Sequence, residues 1–176
     1  RKHLDDNVLE ENGFKYRDLN NNGKLDVYED KRQDIESRID DIMSQMTIED
    51  KIGLMWHPPI GMGKEGEILG KPKPSVFNMS STYHSLINQR ITHYNIFIIP
   101  KPNYHADWYN KLQKMAEQSH LGIPVTISTD PRHGISNFIG SELLNSEFSK
   151  WPEPIGLAAT NDSMLVVEFG RIANQE

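Results

Sequence analysis

Between residues 33 and 55 the apolar side chains recur every three or four positions, with Asp and Arg between them. This spacing predicts an amphipathic helix with one apolar face. Thr47 and Asp50 have the spacing of a helix N-cap pair, so we expect the helix to break and to restart at Ile48. Further helical spacing is found at residues 82–93, at residues 105–119, and from Asn161 or Asp162 to Ile172.

Short continuous apolar runs at residues 95–100 and 125–127 separate these helices and are typical of strands buried on both faces. A first strand is expected near residues 52–56, where helix is an equally defensible interpretation. Residues 57–81 are rich in Pro and Gly and are predicted to form a loop. Because parallel strands are joined by crossover helices, the alternation of strands and helices indicates the α/β class with a parallel sheet.

The number of predicted units suggests that the chain is part of a larger domain. About three βα units are predicted, whereas a closed barrel needs eight units and about 250 residues. No closing strand follows the last predicted helix. We therefore expect an incomplete α/β domain.

Composition and charge exclude several classes of protein. The chain has 176 residues, no Cys and a net charge of −6. The first 50 residues hold 14 acidic and 8 basic side chains, whereas the remainder is balanced. The chain has no basic stripe, which disfavours nucleic-acid binding, and the lack of Cys excludes disulfides and thiolate metal sites. We expect no membrane span, because the longest runs of large apolar residues are four long. We expect no signal peptide in this chain, because no basic region followed by an apolar core opens the sequence.

Residues 18–29, with the sequence DLNNNGKLDVYE, match the pattern of an EF-hand calcium loop. Calcium prefers about six to eight oxygen ligands, and this spacing allows one short loop to supply them. Gly23 occupies the position of the sharp turn. The expected ligands are side-chain oxygens, except for the backbone carbonyl of the lysine: Asp18, Asn20, Asn22, Lys24, Asp26 and Glu29.

A surface turn rich in Asn, Asp and Gly that binds no metal is the alternative interpretation of this loop. If calcium does bind, a structural role is favoured over a sensory one. The chain holds no second loop of this kind, and sensor proteins open a groove between paired hands.

Residues 121–134, with the sequence LGIPVTISTDPRHG, bring Asp130 to the carboxyl end of the second predicted strand. Parallel α/β folds bind ligands at this edge, and a carboxylate there can accept hydrogen bonds from neighbouring sugar hydroxyls. The aspartate could equally cap the turn that begins at Pro131. Arg132 and His133 could line the same opening or brace Asp130, although His133 could instead be a hydrogen-bonded structural residue.

Other hydrolytic chemistry has little support in the sequence. No G-x-S-x-G nucleophile elbow is present. The seven His residues show no H-x-H or H-x-x-x-H spacing, which disfavours catalytic zinc and a metal-dependent hydrolase.

Three sequence blocks together resemble glycoside hydrolase family 3, the β-glucosidase-like enzymes. Residues 43–55, MSQMTIEDKIGLM, resemble the M-T-L-E-E-K helix of that family. Residues 121–134 are similar to its L-G-I-P…D-x-x-H-G block. Residues 151–176 are similar to its F-P-x-P-[IL]-G-L-A-A-T-x-D block. The order and separation of the blocks also fit, so the resemblance extends from about residue 35 to the end of the chain.

The resemblance implies a (β/α)8 TIM-like barrel, of which residues 35–176 would be the incomplete N-terminal portion. Residues 1–34 would then be an extension that carries the calcium loop, similar to that of a secreted bacterial subgroup. Asp130 would hold the sugar at the non-reducing end. The family hydrolyses β-glycosides with retention, using a nucleophilic Asp and a Glu that serves as acid and then as base. Both lie downstream of the third block, so no catalytic residue is assigned and the chain alone is expected to be inactive.

The leading hypothesis is therefore an N-terminal fragment of a secreted or periplasmic retaining exo-β-glycosidase. Its partners would be a β-linked glycoside or oligosaccharide and the rest of its own polypeptide, namely the remaining barrel and a second domain. Structural Ca²⁺ is the expected cofactor, and none is expected for catalysis. The alternative from a different class is a calcium-dependent carbohydrate-binding or docking module without catalysis.

Overall fold

The computed structural model of the chain describes residues 7–72, 79–96, 101–129, 133 and 148–175. The described residues form a mixed α/β structure with a two-stranded and a three-stranded sheet. The chain separates into two compact units, each assembled from three segments that are distant in sequence. Unit 1 comprises Arg1–His57, Tyr83–His93 and Leu112–Thr126, and unit 2 comprises Pro58–Thr82, Tyr94–Lys111 and Ile127–Glu176.

Unit 1 begins with an antiparallel hairpin that the apolar pattern does not predict. Strand β1 (Val8–Glu11) pairs with β2 (Phe14–Arg17), with Glu11 opposite Phe14. The two residues of the turn, Asn12 and Gly13, have φ angles of 51° and 79°. A two-residue turn with positive φ at both positions matches the twist of paired strands, and Asn-Gly favours it.

The broken helix that the sequence predicts is present as α1 (Ile35–Gln45) and α2 (Ile48–Met55). The backbone N–H of Thr47 donates to the carboxylate of Asp50 at 2.9 Å, and the Asp50 N–H donates to the Thr47 hydroxyl at 3.3 Å. This reciprocal capping box starts α2, as predicted. The alternative strand at residues 52–56 is wrong, because the capping box commits the segment to helix.

The helix predicted over residues 82–93 is shorter in the structure. A π-helical turn covers His84–Asn88, and Arg90 has a φ of 57°. A non-glycine residue in the left-handed region cannot continue a right-handed helix. The chain therefore leaves the helix before strand β4 (His93–Ile96) begins.

The three-stranded sheet has the order β3-β4-β5, and among the described residues it includes part of each predicted apolar run. Strand β3 (Pro59–Ile60) is parallel to β4, as the α/β interpretation requires. Strand β3 lies within the segment predicted to be loop, so the loop prediction is wrong at these two residues. A segment that contains Pro can still form backbone hydrogen bonds as an edge strand of a sheet. The first apolar run coincides with the end of β4, while residues 97–100 are outside the described part. The second overlaps β5 (Thr126–Ser128) at residues 126 and 127.

Strand β5 runs in the same direction as β4. The Thr126 N–H donates to the Thr92 carbonyl at 2.8 Å, and the Thr129 hydroxyl donates to the Ile96 carbonyl at 3.2 Å. The contacts advance together along both strands, so their carboxyl ends meet at the same edge of the sheet. Asp130 is the next residue in sequence after Thr129.

Helices α3 (Pro102–Ala116), α4 (Pro154–Ala159) and α5 (Ser163–Ala173) complete the described fold. Asp162 caps α5 by accepting from the Met164 N–H at 2.9 Å, which confirms one of the two predicted caps. The buried apolar side chains among the described residues are Tyr16, Tyr28, Ile60, Leu86, Ile91, Tyr94, Ile96, Trp108, Leu112, Ala116, Leu121, Val125 and Leu157.

Candidate functional site

Hydroxyl groups fix the chain where it leaves the sheet in unit 2. The Ser128 hydroxyl lies 3.1 Å from the side-chain oxygen of Asn95 and 3.4 Å from the Tyr94 carbonyl. The hydroxyl of Thr129, the next residue, donates to the carbonyl at the end of β4. These side-chain bonds hold the carboxyl end of β5 against that of β4, at the edge where parallel α/β folds bind ligands.

The predicted sugar-binding residues come directly after Thr129 in the sequence. Asp130 and Arg132 lie outside the described residues, so their roles remain predictions. His133 is described and buried. Its ring centroid lies 5.4 Å from that of Phe148 and 5.8 Å from that of Phe169. These aromatic contacts hold the imidazole of His133 in place.

Trp151 connects the second sequence block to the third within unit 2. Its backbone N–H donates to the His133 carbonyl at 2.5 Å, and its ring lies 5.4 Å from that of Phe169. The two blocks were related only by resemblance in the sequence, and here they are in contact. Asn95 is a polar residue at the site edge that the sequence analysis missed, because it opens an otherwise apolar run.

The candidate calcium loop in unit 1 is a tight turn closed by its own polar groups. Gly23 has a φ of 76°, which suits a residue without Cβ. The Asp18 carboxylate accepts from the backbone N–H groups of Asn22 at 3.0 Å and Gly23 at 2.8 Å. The Glu29 carboxylate, at the last position of the loop, accepts from the N–H groups of Leu19 at 2.5 Å and Asp26 at 3.2 Å.

Two amides converge on one carboxylate inside the loop. The side-chain nitrogens of Asn20 and Asn22 each lie 2.7 Å from the same oxygen of Asp26. Burial raises the pKa of Glu29, and the nearby charges of Asp26 and Asp18 raise it further despite the hydrogen bonds from the backbone. The carboxylates thus repel one another and are held by neutral donors.

The donor chemistry of the loop suits a hard cation, whereas the carboxylates alone do not form a ligand cluster. Within the described ranges, no three or more His, Cys, Asp or Glu side chains form a group that could hold a metal ion. Rotation of the Asn20 and Asn22 amides by half a turn would present oxygen in place of nitrogen. The loop therefore supplies the oxygen ligands that calcium prefers only if the side-chain amides of Asn20 and Asn22 both contribute their oxygen atoms.

A second polar cluster, in unit 1, was not predicted. Asp50 is buried, and its carboxylate lies 2.9 Å from the Arg90 guanidinium and 3.1 Å from Nδ1 of His120. These residues come from three separate segments of the chain, so sequence spacing carries no signal for the cluster. Its three members all lie in unit 1.

No protein-family model matches the chain. The chain is nevertheless 40% identical over 169 residues to the periplasmic β-glucosidase/β-xylosidase of Dickeya chrysanthemi, covering 94% of this chain and 25% of that protein. It is 35% identical to the probable β-glucosidase C of Aspergillus oryzae, covering 88% of this chain and 24% of the relative. The β-glucosidase C of Emericella nidulans is also 35% identical, and the match covers 86% of this chain and 24% of that relative.

The chain is thus β-glucosidase-like in sequence and spans about a quarter of the length of the curated relatives it matches. Most of its residues take part in the match, including the segments of both units. Among the described helices, none is long and apolar enough to cross a membrane.

Proposed function

We propose that the chain is part of a β-glycosidase of glycoside hydrolase family 3, which hydrolyses the O-glycosidic bond of a β-glucoside or β-xyloside. The observation that carries this proposal is the 40% identity to a β-glucosidase/β-xylosidase over 94% of the chain. The three sequence blocks support the same family. A binding module without catalysis is not favoured, because the relatives are named as glycosidases.

In this proposal Asp130 holds the terminal sugar. Its carboxylate would accept hydrogen bonds from two neighbouring hydroxyls, and charged acceptors form the stronger bonds. The bond from the Thr129 hydroxyl to the Ile96 carbonyl supports this role, because it holds Thr129 at the carboxyl edge of the sheet and Asp130 is the next residue in sequence. Arg132 and His133 would line the same subsite, with the aromatic neighbours of His133 holding its ring in place.

The remaining chemistry belongs to polypeptide outside this chain. A retaining glycosidase needs a carboxylate nucleophile and a carboxylic acid that protonates the leaving group. Family resemblance assigns both to sequence downstream of residue 176, together with the rest of the barrel. Residues 35–176 would therefore supply sugar-binding groups and part of the scaffold, and would not hydrolyse glycosides by themselves.

We also propose a structural calcium site at residues 18–29. When bound, the ion would neutralise the charges of Asp18, Asp26 and Glu29. Burial raises the pKa of Glu29, and the charges of Asp26 and Asp18 raise it further. Asn20, Asn22 and the Lys24 carbonyl would complete the oxygen ligands. An exported enzyme, secreted or periplasmic, would encounter enough calcium to fill such a loop, and one relative is named as periplasmic.

Turnover of aryl β-glucosides and aryl β-xylosides by the full-length product of the reading frame that encodes this chain tests the proposal. The wild-type protein should hydrolyse at least one of them. Asp130→Ala should lower kcat/KM by about 10²-fold or more, because two charge-assisted hydrogen bonds of about 1.5–3 kcal/mol are lost. Asp162→Ala provides the matched control, since this exposed carboxylate only caps α5.

Asp162→Ala should leave kcat/KM unchanged while lowering the melting temperature. A full-length product without activity on either aryl glycoside would refute the assignment of the enzyme. Wild-type kcat/KM in Asp130→Ala would refute only the assignment of the sugar subsite.

A further inference from the structure

Two Asn-Gly pairs lie close together in unit 1. Asn12-Gly13 forms the turn of the hairpin, and Asn22-Gly23 lies in the candidate calcium loop. Asparagine is a thermolabile residue, because the backbone nitrogen of the next residue can attack its side-chain carbonyl carbon. Glycine in the next position leaves this approach open, since it has no Cβ. The sequence makes the two pairs equally reactive, whereas the structure distinguishes them.

The pair in the candidate calcium loop is restrained at every group that the reaction uses. The Gly23 N–H donates to the Asp18 carboxylate at 2.8 Å. The side-chain oxygen of Asn22 accepts from the Lys24 N–H at 2.8 Å, and its side-chain nitrogen lies 2.7 Å from the Asp26 carboxylate. The negative charge of Asp18 also disfavours the anionic nitrogen that would have to attack. Ring closure at Asn22 therefore requires these bonds to break first.

The pair in the hairpin turn lacks such restraints. Asn12 and Gly13 are both exposed. Among the described residues, none accepts a hydrogen bond from the Gly13 N–H and none bonds to the Asn12 amide. A Cβ added at Gly13 would meet nothing within 4 Å. The strand pairing ends with Glu11 opposite Phe14, so both turn residues lie outside the ladder.

The hairpin is anchored at the end that lies away from the turn. Tyr16 is buried, and Arg17 forms an ion pair with Glu117. All four residues of β1 are exposed. Two-stranded hairpins are marginally stable, and segments with few buried contacts open at low free energy. Ring closure requires the turn to leave its native dihedral angles, and the unanchored end of the hairpin can do so.

We propose that Asn12 is a site of spontaneous deamidation in the native protein, whereas the fold protects Asn22. The Gly13 nitrogen loses its proton and bonds to the side-chain carbonyl carbon of Asn12, and the side-chain amide leaves as ammonia. Water then opens the cyclic imide at either carbonyl, which gives aspartate or isoaspartate. One water is consumed and one ammonia released, with no oxidation or reduction. The proposal depends neither on glycosidase activity nor on calcium.

Peptide mass mapping of the full-length product during incubation at mildly alkaline pH tests the proposal. Trypsin cleaves after Lys and Arg and therefore places the two pairs on separate peptides, residues 3–15 and 18–24. Deamidation raises the mass of a peptide by about 1 Da, and fragmentation assigns the change to one residue. A chelator is present throughout, so that bound calcium does not contribute to protection. The same protein unfolded in guanidinium chloride gives the reference rate for each pair.

In the native protein Asn12 should deamidate at least about tenfold faster than Asn22, since the charge-assisted bond from Gly23 to Asp18 must break before Asn22 reacts. In the unfolded protein the two rates should be similar. Equal rates in the native protein would overturn the proposal. An Asn22 peptide that is equally slow when unfolded would overturn it as well, because the fold would then not be the cause.

A substitution at Asp18 tests the cause of the protection. Asp18→Ala should bring the rate at Asn22 in the native protein towards its unfolded rate, while the rate at Asn12 stays the same. Asp40→Ala, at an exposed position of α1, is the matched control and should change neither rate. An unchanged rate at Asn22 in Asp18→Ala would overturn the protection that we assign to this carboxylate.

Discussion

The guanidinium of Arg90 donates to the Thr47 hydroxyl at 2.6 Å and lies 2.9 Å from the carboxylate of Asp50. One side chain thus holds both members of the capping box that starts α2. Arg90 itself has a φ of 57°, so it ends one helix with its backbone while anchoring another with its side chain. This connection fixes α2 beside the segment that leads into β4.

Asp50→Ala should destabilise the chain by about 2–3 kcal/mol. The change leaves the Arg90 charge partly buried without its carboxylate and removes a reciprocal helix cap. Urea unfolding followed by circular dichroism measures the loss. Asp40→Ala, at an exposed position of α1, should change the free energy of unfolding by no more than about 0.5 kcal/mol. Equal changes in the free energy of unfolding for the two substitutions would contradict a structural role for the ion pair between Asp50 and Arg90.

The same carboxylate should make the stability depend on pH. Burial acts to raise the pKa of Asp50, but hydrogen bonds from Thr47, Arg90 and His120 outweigh it and lower the pKa below the ordinary value. A lowered folded-state pKa contributes stability above the unfolded-state pKa of about 3.9, and this contribution is lost as the pH falls. The free energy of unfolding of the wild type should therefore exceed that of Asp50→Asn by the full amount at about pH 7, and this difference should shrink below about pH 4. A difference independent of pH would contradict this assignment.

Much of the local structure could be predicted because its causes lie close together in sequence. Thr47 and Asp50 are three residues apart, and their capping box is where the spacing indicates. The apolar runs that become β4 and β5 are also local signals. The hairpin could have been predicted from Asn12 and Gly13 and from the alternation of apolar and charged residues in β2, but β1 has two apolar residues followed by two acidic ones and gives no such signal.

Contacts between distant segments could not be predicted in this way. Asp50 and Arg90 are 40 residues apart, and only the folded chain brings them together. The strand-end site was accessible to prediction in part, because a buried run followed by polar residues identifies the edge of a sheet. The bond between Thr129 and Ile96 depends on strand order, which periodicity does not encode.

Calcium should raise the melting temperature of the chain through the loop at residues 18–29. At about 100 times its Kd, a ligand that binds only the folded state stabilises it by about 2.7 kcal/mol. Glu29→Gln should abolish this increase, because it removes the carboxylate that closes the loop. Glu36→Gln, at an exposed position of α1, is the matched control and should respond like the wild type. Scanning calorimetry with calcium or a chelator measures both variants, and the same increase in Glu29→Gln would assign the effect to another site.

Gly122→Ala should destabilise the chain by about 2–4 kcal/mol. Gly122 has a φ of 58°, a region that costs other residues about 1–3 kcal/mol. An added Cβ would also collide with the carbonyl oxygen of Leu19, which lies at the start of the candidate calcium loop. Gly170→Ala is the matched control, because a Cβ there meets open space within helix α5. It should stabilise the protein by up to about 1 kcal/mol through helix propensity. Urea unfolding of both variants measures the contrast. If both substitutions changed the free energy of unfolding by the same amount and in the same direction, close packing of the Leu19 carbonyl against Gly122 would be contradicted.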